Sequence, residues 1–178
     1  DYTNCFAQSW GRHKARIRPT AGDNEYKTAN ASGYFAYFGA TAGQTGKGYY
    51  SYDAGDWHVV VLNSEIATAA GSAQERWLRA DLAANTKSCT TGIWHKPRFS
   101  SSGTLRRAEV KPLWDALYAA GAEIVLNGHY KLYERFAPQR PDGSADGTNG
   151  IRQFTIGTGG EGTNTFDTRL ANSQVRKS

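Results

Sequence analysis

The sequence EIVLNGHYKLYERF, residues 123–136, decides the fold class. Its first four residues are mostly apolar and predict a short buried strand, Glu123–Leu126. The tripeptide Asn127-Gly128-His129 follows at once, so this strand ends in a histidine held on a loop. Because ligands gather beyond the carboxyl ends of buried strands in α/β proteins, we expect a site at this point.

A second strand upstream ends in the same way. Thr90–Trp94 is a short, mostly apolar run that delivers His95 at its carboxyl end, and Pro97 shapes the loop after it. A single histidine in such a place is usually structural, but two in matching settings favour a shared site. The other two histidines, His13 in a basic helical segment and His58 inside a strand, are interpreted as non-catalytic.

Strands and helices alternate along the chain, with no internal repeat. Ser72 and Glu75 form a capping box that starts one helix, and apolar residues at i, i+3, i+4 and i+7 predict another that ends before Gly121. A turn at residues 53–56 joins two strands into a hairpin. The predicted helices cover residues 4–17, 72–85 and 107–119, and the predicted strands cover residues 49–52, 57–62, 90–94, 123–126 and 151–156. The pattern predicts a mixed α/β fold with the two later helices on the outside.

Composition limits the possible classes of protein. The 178 residues are enough for one sizeable core and predict a single domain over residues 1–178. With 39% hydrophobic and 21% charged residues, the composition is that of a globular chain. No apolar run approaches the roughly 20 residues of a membrane span. The net charge of +5 suits an anionic ligand, but lysines and arginines are scattered, so a nucleic-acid surface is not expected.

Two cysteines, Cys5 and Cys89, leave two alternatives open. Their separation excludes a metal-binding knuckle, so they either form one long-range disulfide in an oxidising compartment or remain two thiols. The sequence starts at Asp1 and not at a methionine, which is compatible with a processed or truncated product.

Three segments carry a resemblance to a known family, and they occur in the family's order. Residues 94–101, WHKPRFSS, resemble a His-x-Pro motif, and residues 128–136, GHYKLYERF, resemble a Gly-His-x-His-x-Tyr-Glu-Arg motif. Residues 19–26, PTAGDNEY, occupy the position of a Gly-Asn-His-Glu motif. The chain thus resembles the calcineurin-like metallophosphoesterases of the purple acid phosphatase type, in particular bacterial members. The resemblance implies part of a two-sheet α/β/β/α sandwich, a phosphoester or phosphate ligand, a secreted or periplasmic location and, with it, a disulfide between Cys5 and Cys89.

The resemblance also implies a metal centre with altered residues. Asp23, His95 and His129 correspond to ligands of one of the family's two metals, which indicates at most one ion, Zn, Mn or Fe. The segments that would supply the other metal's ligands do not occur in the sequence. Asn24 stands where the family has a histidine that contacts phosphate and helps to protonate the leaving group, and Lys131 stands where it has a metal-binding histidine. We expect the three ligands to share one cleft, with Lys131 pointing toward the position of the missing metal.

Three functions remain compatible with these residues. The first is a metal-dependent phosphoester hydrolase, weak or inactive because Asn24 cannot shuttle a proton and Lys131 repels a metal unless it is deprotonated. The second is a non-catalytic relative that binds a phosphate-bearing ligand or a protein. The third is a self-assembling structural module, because strands that the family has beyond both ends of this sequence would leave an apolar face for a second copy or a complementary chain to cover.

Overall fold

The computed structural model describes residues 2–103 and 107–178, and its centre is one mixed β-sheet. The strands are β1 (Tyr50–Ala54), β2 (Trp57–Val61), β3 (Cys89–Trp94), β4 (Ile124–Asn127), β5 (Tyr133–Phe136), β6 (Arg152–Ile156) and β7 (Ser173–Lys177). Their order across the sheet is β1-β2-β3-β4-β6-β5-β7. Strands β2, β3, β4 and β6 pair in parallel, whereas β1 and β5 pair antiparallel with their neighbours. The carboxyl ends of the four parallel strands therefore meet at one edge of the sheet.

Strands β1 and β2 form the predicted hairpin, but its loop covers residues 55–56 instead of the predicted 53–56. Ala54 pairs with Trp57, so the loop is two residues long, and its first residue, Gly55, has a φ of +61°. Glycine adopts this left-handed conformation without a steric cost, which lets the two strands reverse tightly. The resulting register places Asp53 directly opposite His58.

Among the described residues, three α-helices accompany the sheet: α1 (Ser32–Phe38), α2 (Ala73–Ala84) and α3 (Lys111–Ala119). Ser72 caps α2 as predicted, because its hydroxyl accepts a hydrogen bond from the backbone N–H of Glu75 at 3.2 Å. Pro112 lies in the first turn of α3. Backbone N–H groups in the first turn of a helix have no intrahelical partner, so proline's lack of an N–H costs no hydrogen bond there. Helices α2 and α3 pack against the sheet, and the main core lies between them and the sheet. Its buried side chains include Leu78 and Leu82 from α2, Leu113, Trp114 and Leu117 from α3, and Val60, Trp94 and Val125 from the strands.

The opposite face of the sheet is apolar and open. Side chains alternate along each strand, so Val60 and Val125 point toward the helices while their neighbours in the strand point away. The outward side chains line a groove in which 48% of Ile156 is exposed. The groove is lined by Trp57, Thr91, Ile124, Leu126, Phe154 and Ile156.

A second, smaller aromatic cluster joins helix α1 to the first turns of the chain. Its rings are those of Tyr2, Phe6, Tyr34, Phe35, Tyr37 and Phe38. The ring of Tyr2 stacks on that of Tyr37 with centroids 5.1 Å apart. The Tyr2 hydroxyl also donates a hydrogen bond to Glu25 at 2.9 Å. The cluster therefore holds the first turns of the chain against the loop that follows Asp23.

The segment over residues 4–17 is helical only in part, and the predicted single helix is interrupted. A π-helical turn, Tyr2–Phe6, is followed by a 3₁₀-helix, Trp10–Arg16, in which His13 has a non-helical conformation. The hydroxyl of Ser9 donates to the backbone carbonyls of Cys5 and Phe6 at 3.2 and 3.3 Å. Such local side-chain bonds compete with the α-helical ladder, which accounts for the break.

Other elements differ from the predictions in extent. Helix α3 begins at Lys111 after a short 3₁₀ segment, Ala108–Val110, instead of at residue 107. Helix α1 and strands β5 and β7 are not indicated by the hydrophobic pattern. The remaining predicted strands lie within two residues of the observed bounds.

The expected disulfide between Cys5 and Cys89 is not formed, and both residues are free thiols. Cys89 is the first of the six residues of β3, and that strand runs toward His95. Cys5 lines the same cavity as Asn24, the residue after Asp23, and Asp23 contacts His95 at the other end of the strand. Six strand residues span about 20 Å, whereas a disulfide needs Cα atoms within about 7 Å. The π-helical turn that carries Cys5 is therefore on the His95 side of β3, and Cys89 is at the start of that strand.

The α/β class is confirmed. All seven strands of the described residues belong to one sheet, which carries α2 and α3 on one face and the apolar groove on the other. This arrangement is one sheet and one helix layer of the expected sandwich. Within residues 2–103 and 107–178, no helix combines the length and the apolar character that crossing a membrane requires.

Candidate metal centre

Three loops meet at the edge where the parallel strands end. Strand β3 leads into His95, strand β4 leads through Gly128 into His129, and the loop after Pro19 brings Asp23 beside both rings. His129 has a φ of +67°, a conformation that is uncommon outside glycine and is often found at functional sites. The fold therefore delivers the three predicted ligands to one place.

Gly22 sets how closely the Asp23 loop approaches His95. A Cβ atom at residue 22 would lie 2.8 Å from Nδ1 of His95, closer than side chains pack. The backbone N–H of Gly22 also donates to a carboxylate oxygen of Glu25 at 2.8 Å, which fixes the turn. Because glycine has no side chain, the loop can lie against the imidazole ring and bring Asp23 within reach.

The donor atoms of the three residues converge. Nε2 of His95 lies 3.0 Å from Oδ1 of Asp23, and Nδ1 of His129 lies 3.4 Å from Oδ2 of the same carboxylate. The two ring nitrogens are 3.1 Å apart. All three ligand atoms lie within 4.8 Å of one another. We refer to Asp23, His95 and His129 as the metal cluster.

These separations fit a small metal ion. In a tetrahedral site with metal–donor distances of 2.0–2.2 Å, neighbouring donors lie about 3.3–3.6 Å apart, and the observed separations are close to this range. One carboxylate and two imidazoles suit Zn, Mn or Fe, and three protein ligands leave positions for water or substrate. The metal cluster therefore has the donors and the spacing that one ion needs.

The charge states also suit a cation. Burial disfavours the charge on Asp23, but His95 and His129 outweigh it, so the pKa of this carboxyl lies below its ordinary value. Burial, followed by the neighbouring His95 and Arg107, lowers the pKa of His129. At neutral pH the cluster thus presents an ionised carboxylate and a neutral His129 ring.

Arg107 is a contact that sequence reasoning missed. Its Nη2 donates a hydrogen bond to Nε2 of His129 at 3.1 Å, and its Nη1 lies 3.6 Å from Glu109. Because Nε2 accepts this bond, the proton of the neutral His129 ring is on Nδ1, the nitrogen that faces Asp23. Binding of a metal at Nδ1 therefore requires the ring to change tautomer and Arg107 to move away from Nε2.

A second missed contact fixes the residue after His95. The Lys96 ammonium donates to Glu65 at 2.6 Å, the Ser64 hydroxyl donates to the other oxygen of Glu65, and the Lys96 backbone N–H donates to Ser64. The Asn-Ser-Glu sequence at residues 63–65 gives no local indication of this role. The network ties the His95 loop to the end of β2.

Asn24 and Lys131 both line the cleft above the metal cluster, which has a volume of about 680 Å³. Its walls also carry Lys27, the glycines after β6 and Glu161. The Lys131 ammonium lies 3.0 Å from a carboxylate oxygen of Glu161. Its expected orientation toward a second metal position stays a prediction.

No family model matches the chain. Its sequence is 38% identical over 132 residues to purple acid phosphatase 15 of Arabidopsis thaliana, a match that covers 70% of this chain and 24% of that protein. It is 30% identical over 159 residues to purple acid phosphatase 18 of the same plant, covering 84% of this chain and 35% of that protein. The chain is a relative of the purple acid phosphatases, which are calcineurin-like metallophosphoesterases.

The fold agrees with a solved member of the purple acid phosphatases. The structure of a purple acid phosphatase from yellow lupin (Lupinus luteus) seeds matches with a TM-score of 0.68 at 18% identity, over 79% of this chain and 30% of that chain. At this identity the match shows a shared fold. The chain spans about a quarter to a third of the length of the purple acid phosphatases it matches.

Proposed function

We propose that this chain binds phosphoesters at a single-metal centre and hydrolyses them slowly. The observation that carries the proposal is the convergence of Asp23, His95 and His129, whose ligand atoms lie within 4.8 Å of one another at the base of a cleft. The kinship with purple acid phosphatases supports phosphoester hydrolysis as the reaction class.

The residues of the cleft suit a phosphate group. A bound Zn²⁺, Mn²⁺ or Fe ion would polarise a phosphoryl oxygen and lower the pKa of a water molecule. Lys27 and Lys131 on the cleft walls supply positive charge for the remaining phosphate oxygens. The Asn24 amide can donate a hydrogen bond to phosphate, although it cannot release a proton near neutral pH.

Two features make the proposed hydrolysis slow. One ion cannot stabilise the attacking and the leaving oxygen together, as a two-metal site does. The Asn24 amide also leaves the departing oxygen without a proton donor at this position. Losing both contributions commonly costs several orders of magnitude in rate.

Zinc titration by calorimetry tests the proposal. The wild-type protein should bind one equivalent of Zn²⁺ and turn over an aryl phosphate slowly in its presence. His95→Ala should lose zinc binding, whereas His13→Ala, a change to an exposed histidine away from the cleft, should not. The proposal fails if wild type binds none of Zn, Mn or Fe, or if His95→Ala binds as tightly as wild type.

A second candidate function is phosphate binding without turnover. It is favoured by the Asn24 amide and by Lys131, whose ammonium already pairs with Glu161 instead of serving as a metal ligand. Zinc-dependent binding of inorganic phosphate with no hydrolysis of the aryl phosphate over days would favour this function over the enzyme.

A third candidate is assembly through the apolar groove on the open face of the sheet. Five large apolar residues, Trp57, Ile124, Leu126, Phe154 and Ile156, line this groove, and patches of this kind often mark interaction sites. The partner would be a second copy of the chain or a complementary chain. If sedimentation gives the mass of a monomer at every protein concentration, self-association is excluded. If a dimer is seen, Ile156→Lys should abolish it.

We also propose a secreted or periplasmic location, which rests on the family resemblance alone. Fractionation of cells that express the natural protein tests this assignment. Recovery of the protein only in the cytosol would contradict it.

A further inference from the structure

Residues 10–18 expose their outer side to solvent with a period of three residues. Gly11, Lys14 and Ile17 are half-buried, whereas the residues between them are exposed. A 3₁₀-helix has three residues per turn, so side chains at i and i+3 lie in one row. The period continues through His13, although the backbone of this residue is not helical. The segment therefore has one row of side chains that faces the protein and two rows that face outward.

The inward row fastens this segment to the aromatic cluster of α1. A Cβ atom at Gly11 would lie 2.5 Å from the hydroxyl of Tyr37, so a residue with a side chain would push the backbone away from this ring. The ammonium of Lys14 lies over the same ring, 4.4 Å from its centroid, and Ile17 packs on the cluster as well. The outward rows are thus presented on a backbone that is held in place.

The segment carries charge of one sign. Residues 2–22 contain four lysines and arginines, at positions 12, 14, 16 and 18, and no aspartate or glutamate. Within residues 2–103 and 107–178, every ion pair joins other side chains. Arg12 and Arg16 are exposed on the outward rows. Their charge is therefore available to an anionic partner.

Trp10 adds an apolar ring to this charge. Its exposed fraction is 70%, compared with 48% for Ile156 in the groove of the sheet. It begins the outward row that also contains His13 and Arg16, with members about 6 Å apart along the helix axis. An indole ring has an apolar face and a polar N–H, and tryptophan is enriched where water meets lipid. The row therefore combines a ring suited to a membrane–water interface with cationic side chains.

We propose that an outward strip of this segment binds the surface of an anionic lipid bilayer. We call it the basic strip, and its residues are Trp10, Arg12, His13, Arg16 and Arg18. The arginines attract the anionic headgroups, and the Trp10 ring enters the headgroup region. This inference goes beyond the proposed function, because it involves neither the metal cluster nor the cleft above it.

Two features favour a bilayer over a nucleic acid. Proteins that hold single strands follow the backbone with a positively charged groove and stack successive bases on aromatic rings. The basic strip is instead the convex outer side of a short helix, and it carries one aromatic ring besides the imidazole of His13. A convex strip can meet a flat array of charges along its full length.

Vesicle co-sedimentation tests the inference, with EDTA in the buffer so that metal binding plays no part. We expect vesicles of equal parts phosphatidylcholine and phosphatidylglycerol to bind wild type at least about tenfold tighter than phosphatidylcholine alone, because each cation adds to the attraction. Binding should weaken between about 0.1 M and about 1 M salt, as the Debye length falls from about 10 Å to about 3 Å. Equal affinities for the two kinds of vesicle would overturn the inference.

A matched pair of double variants locates the binding surface. Arg12→Gln with Arg16→Gln should weaken binding to the anionic vesicles about 25-fold, at about fivefold for each cation. Arg76→Gln with Arg79→Gln removes the same charge from exposed positions of α2 and should weaken binding less than about threefold. Urea midpoints show whether each variant is folded. Equal losses in the two folded variants, or no loss in the first, would contradict the basic strip.

Tryptophan fluorescence identifies the ring that enters the bilayer. Saturating anionic vesicles should shift the emission of wild type to shorter wavelength and leave that of Trp10→Phe unshifted, because Trp10 is the one tryptophan of the basic strip. A shift that persists in Trp10→Phe would place another tryptophan, such as Trp57 of the apolar groove, at the membrane and overturn the assignment.

A fluorescent oligothymidine tests the other class of anionic partner. Wild type should bind it more weakly than the anionic vesicles at the same salt concentration. If wild type binds the oligonucleotide but not the vesicles, and Arg12→Gln with Arg16→Gln loses that binding, the basic strip is a nucleic-acid site and the lipid proposal is wrong.

Discussion

Two clusters of the same residue types lie at opposite edges of the sheet, and their side chains are arranged differently. The metal cluster lies beyond the carboxyl ends of β3 and β4. The second cluster, which we call the ion-pair cluster, consists of Asp53, His58 and Asp81. His58 is buried near the start of β2, with Asp53 across the hairpin and Asp81 on α2. Each cluster thus combines carboxylate and imidazole groups in a polar site next to the core.

The difference is where the donor atoms point. In the ion-pair cluster Nδ1 of His58 lies 2.9 Å from Asp53 and Nε2 lies 2.8 Å from Asp81, so the two carboxylates are on opposite sides of the ring. A ring that donates from both nitrogens is an imidazolium. In the metal cluster the three donor atoms instead face one common point. Residue type alone therefore does not distinguish a ligand from a partner in an ion pair.

The two arrangements shift the pKa values of His58 and His129 in opposite directions. Burial favours the neutral form of His58, but its hydrogen bonds to Asp53 and Asp81 outweigh burial and raise its pKa above the ordinary value. The pKa of His129 is lowered, first by burial and then by the neighbouring His95 and Arg107. The surroundings therefore favour the charged form of His58 and the neutral form of His129.

The largest expected effect is on metal affinity. His129→Ala removes a donor from the metal cluster and should weaken Zn²⁺ binding by at least about a hundredfold. His58→Ala should leave the affinity within about twofold, because its ring nitrogens are occupied by carboxylates. Calorimetric titration of both variants measures the ratio, and equal losses in the two variants would remove the distinction between the clusters.

The second effect is on stability. His58→Ala should lower the free energy of unfolding by about 2 kcal/mol, because it removes charged hydrogen bonds that join the hairpin to α2. His13→Ala serves as the control and should change it by less than about 0.5 kcal/mol. Urea unfolding at pH 6 measures both values. If His58→Ala has the same free energy of unfolding as wild type, the ion-pair cluster contributes nothing to stability.

A smaller effect is the pH dependence of that stability. Because the folded-state pKa of His58 is raised, its contribution is fully present below the unfolded value of 6.5 and is lost as the pH rises through the folded-state pKa. The advantage of wild type over His58→Gln should therefore shrink between pH 6 and pH 9. Urea midpoints measured across this range test the sign, and an advantage that grows with pH would contradict it.

The smallest effect concerns Arg107. Arg107→Met frees Nε2 of His129 to carry the ring proton, which leaves Nδ1 free for a metal, so zinc affinity should rise about fivefold. Arg12→Met, a change to an exposed arginine away from the cleft, should have no effect. A decrease in affinity in Arg107→Met would show that the guanidinium supports the bound state instead of competing with it.

Much of the architecture follows from local pattern. The strands that end in His95 and His129 are predictable, because a short apolar run followed by a loop residue is visible in the sequence itself. The Ser72 cap and the hairpin before His58 are local signals of the same kind. The pairing of Asp53 with His58 does not follow from that pattern, because the predicted turn covers residues 53–56 whereas the observed loop is only two residues long.

What could not be predicted depends on contacts between distant segments. The break of the predicted helix at residues 4–17 comes from a hydroxyl that bonds back to the main chain. The distance between Cys5 and Cys89 depends on the direction of β3. Arg107 on His129 and Asp81 on His58 join residues more than 20 positions apart, and no periodicity encodes such contacts.

The contact between Gly22 and His95 has a consequence for the energetics of ligand binding. The ring of His95 is held by the backbone itself, with no room for a side chain between them. A side chain that must be immobilised on binding commonly costs about 0.5–1.5 kcal/mol of entropy. Here that ordering takes place during folding, so the ring is already fixed when a metal arrives. The metal affinity that we propose for this site would therefore depend on the rigidity of a glycine turn as well as on the identity of the three donor residues.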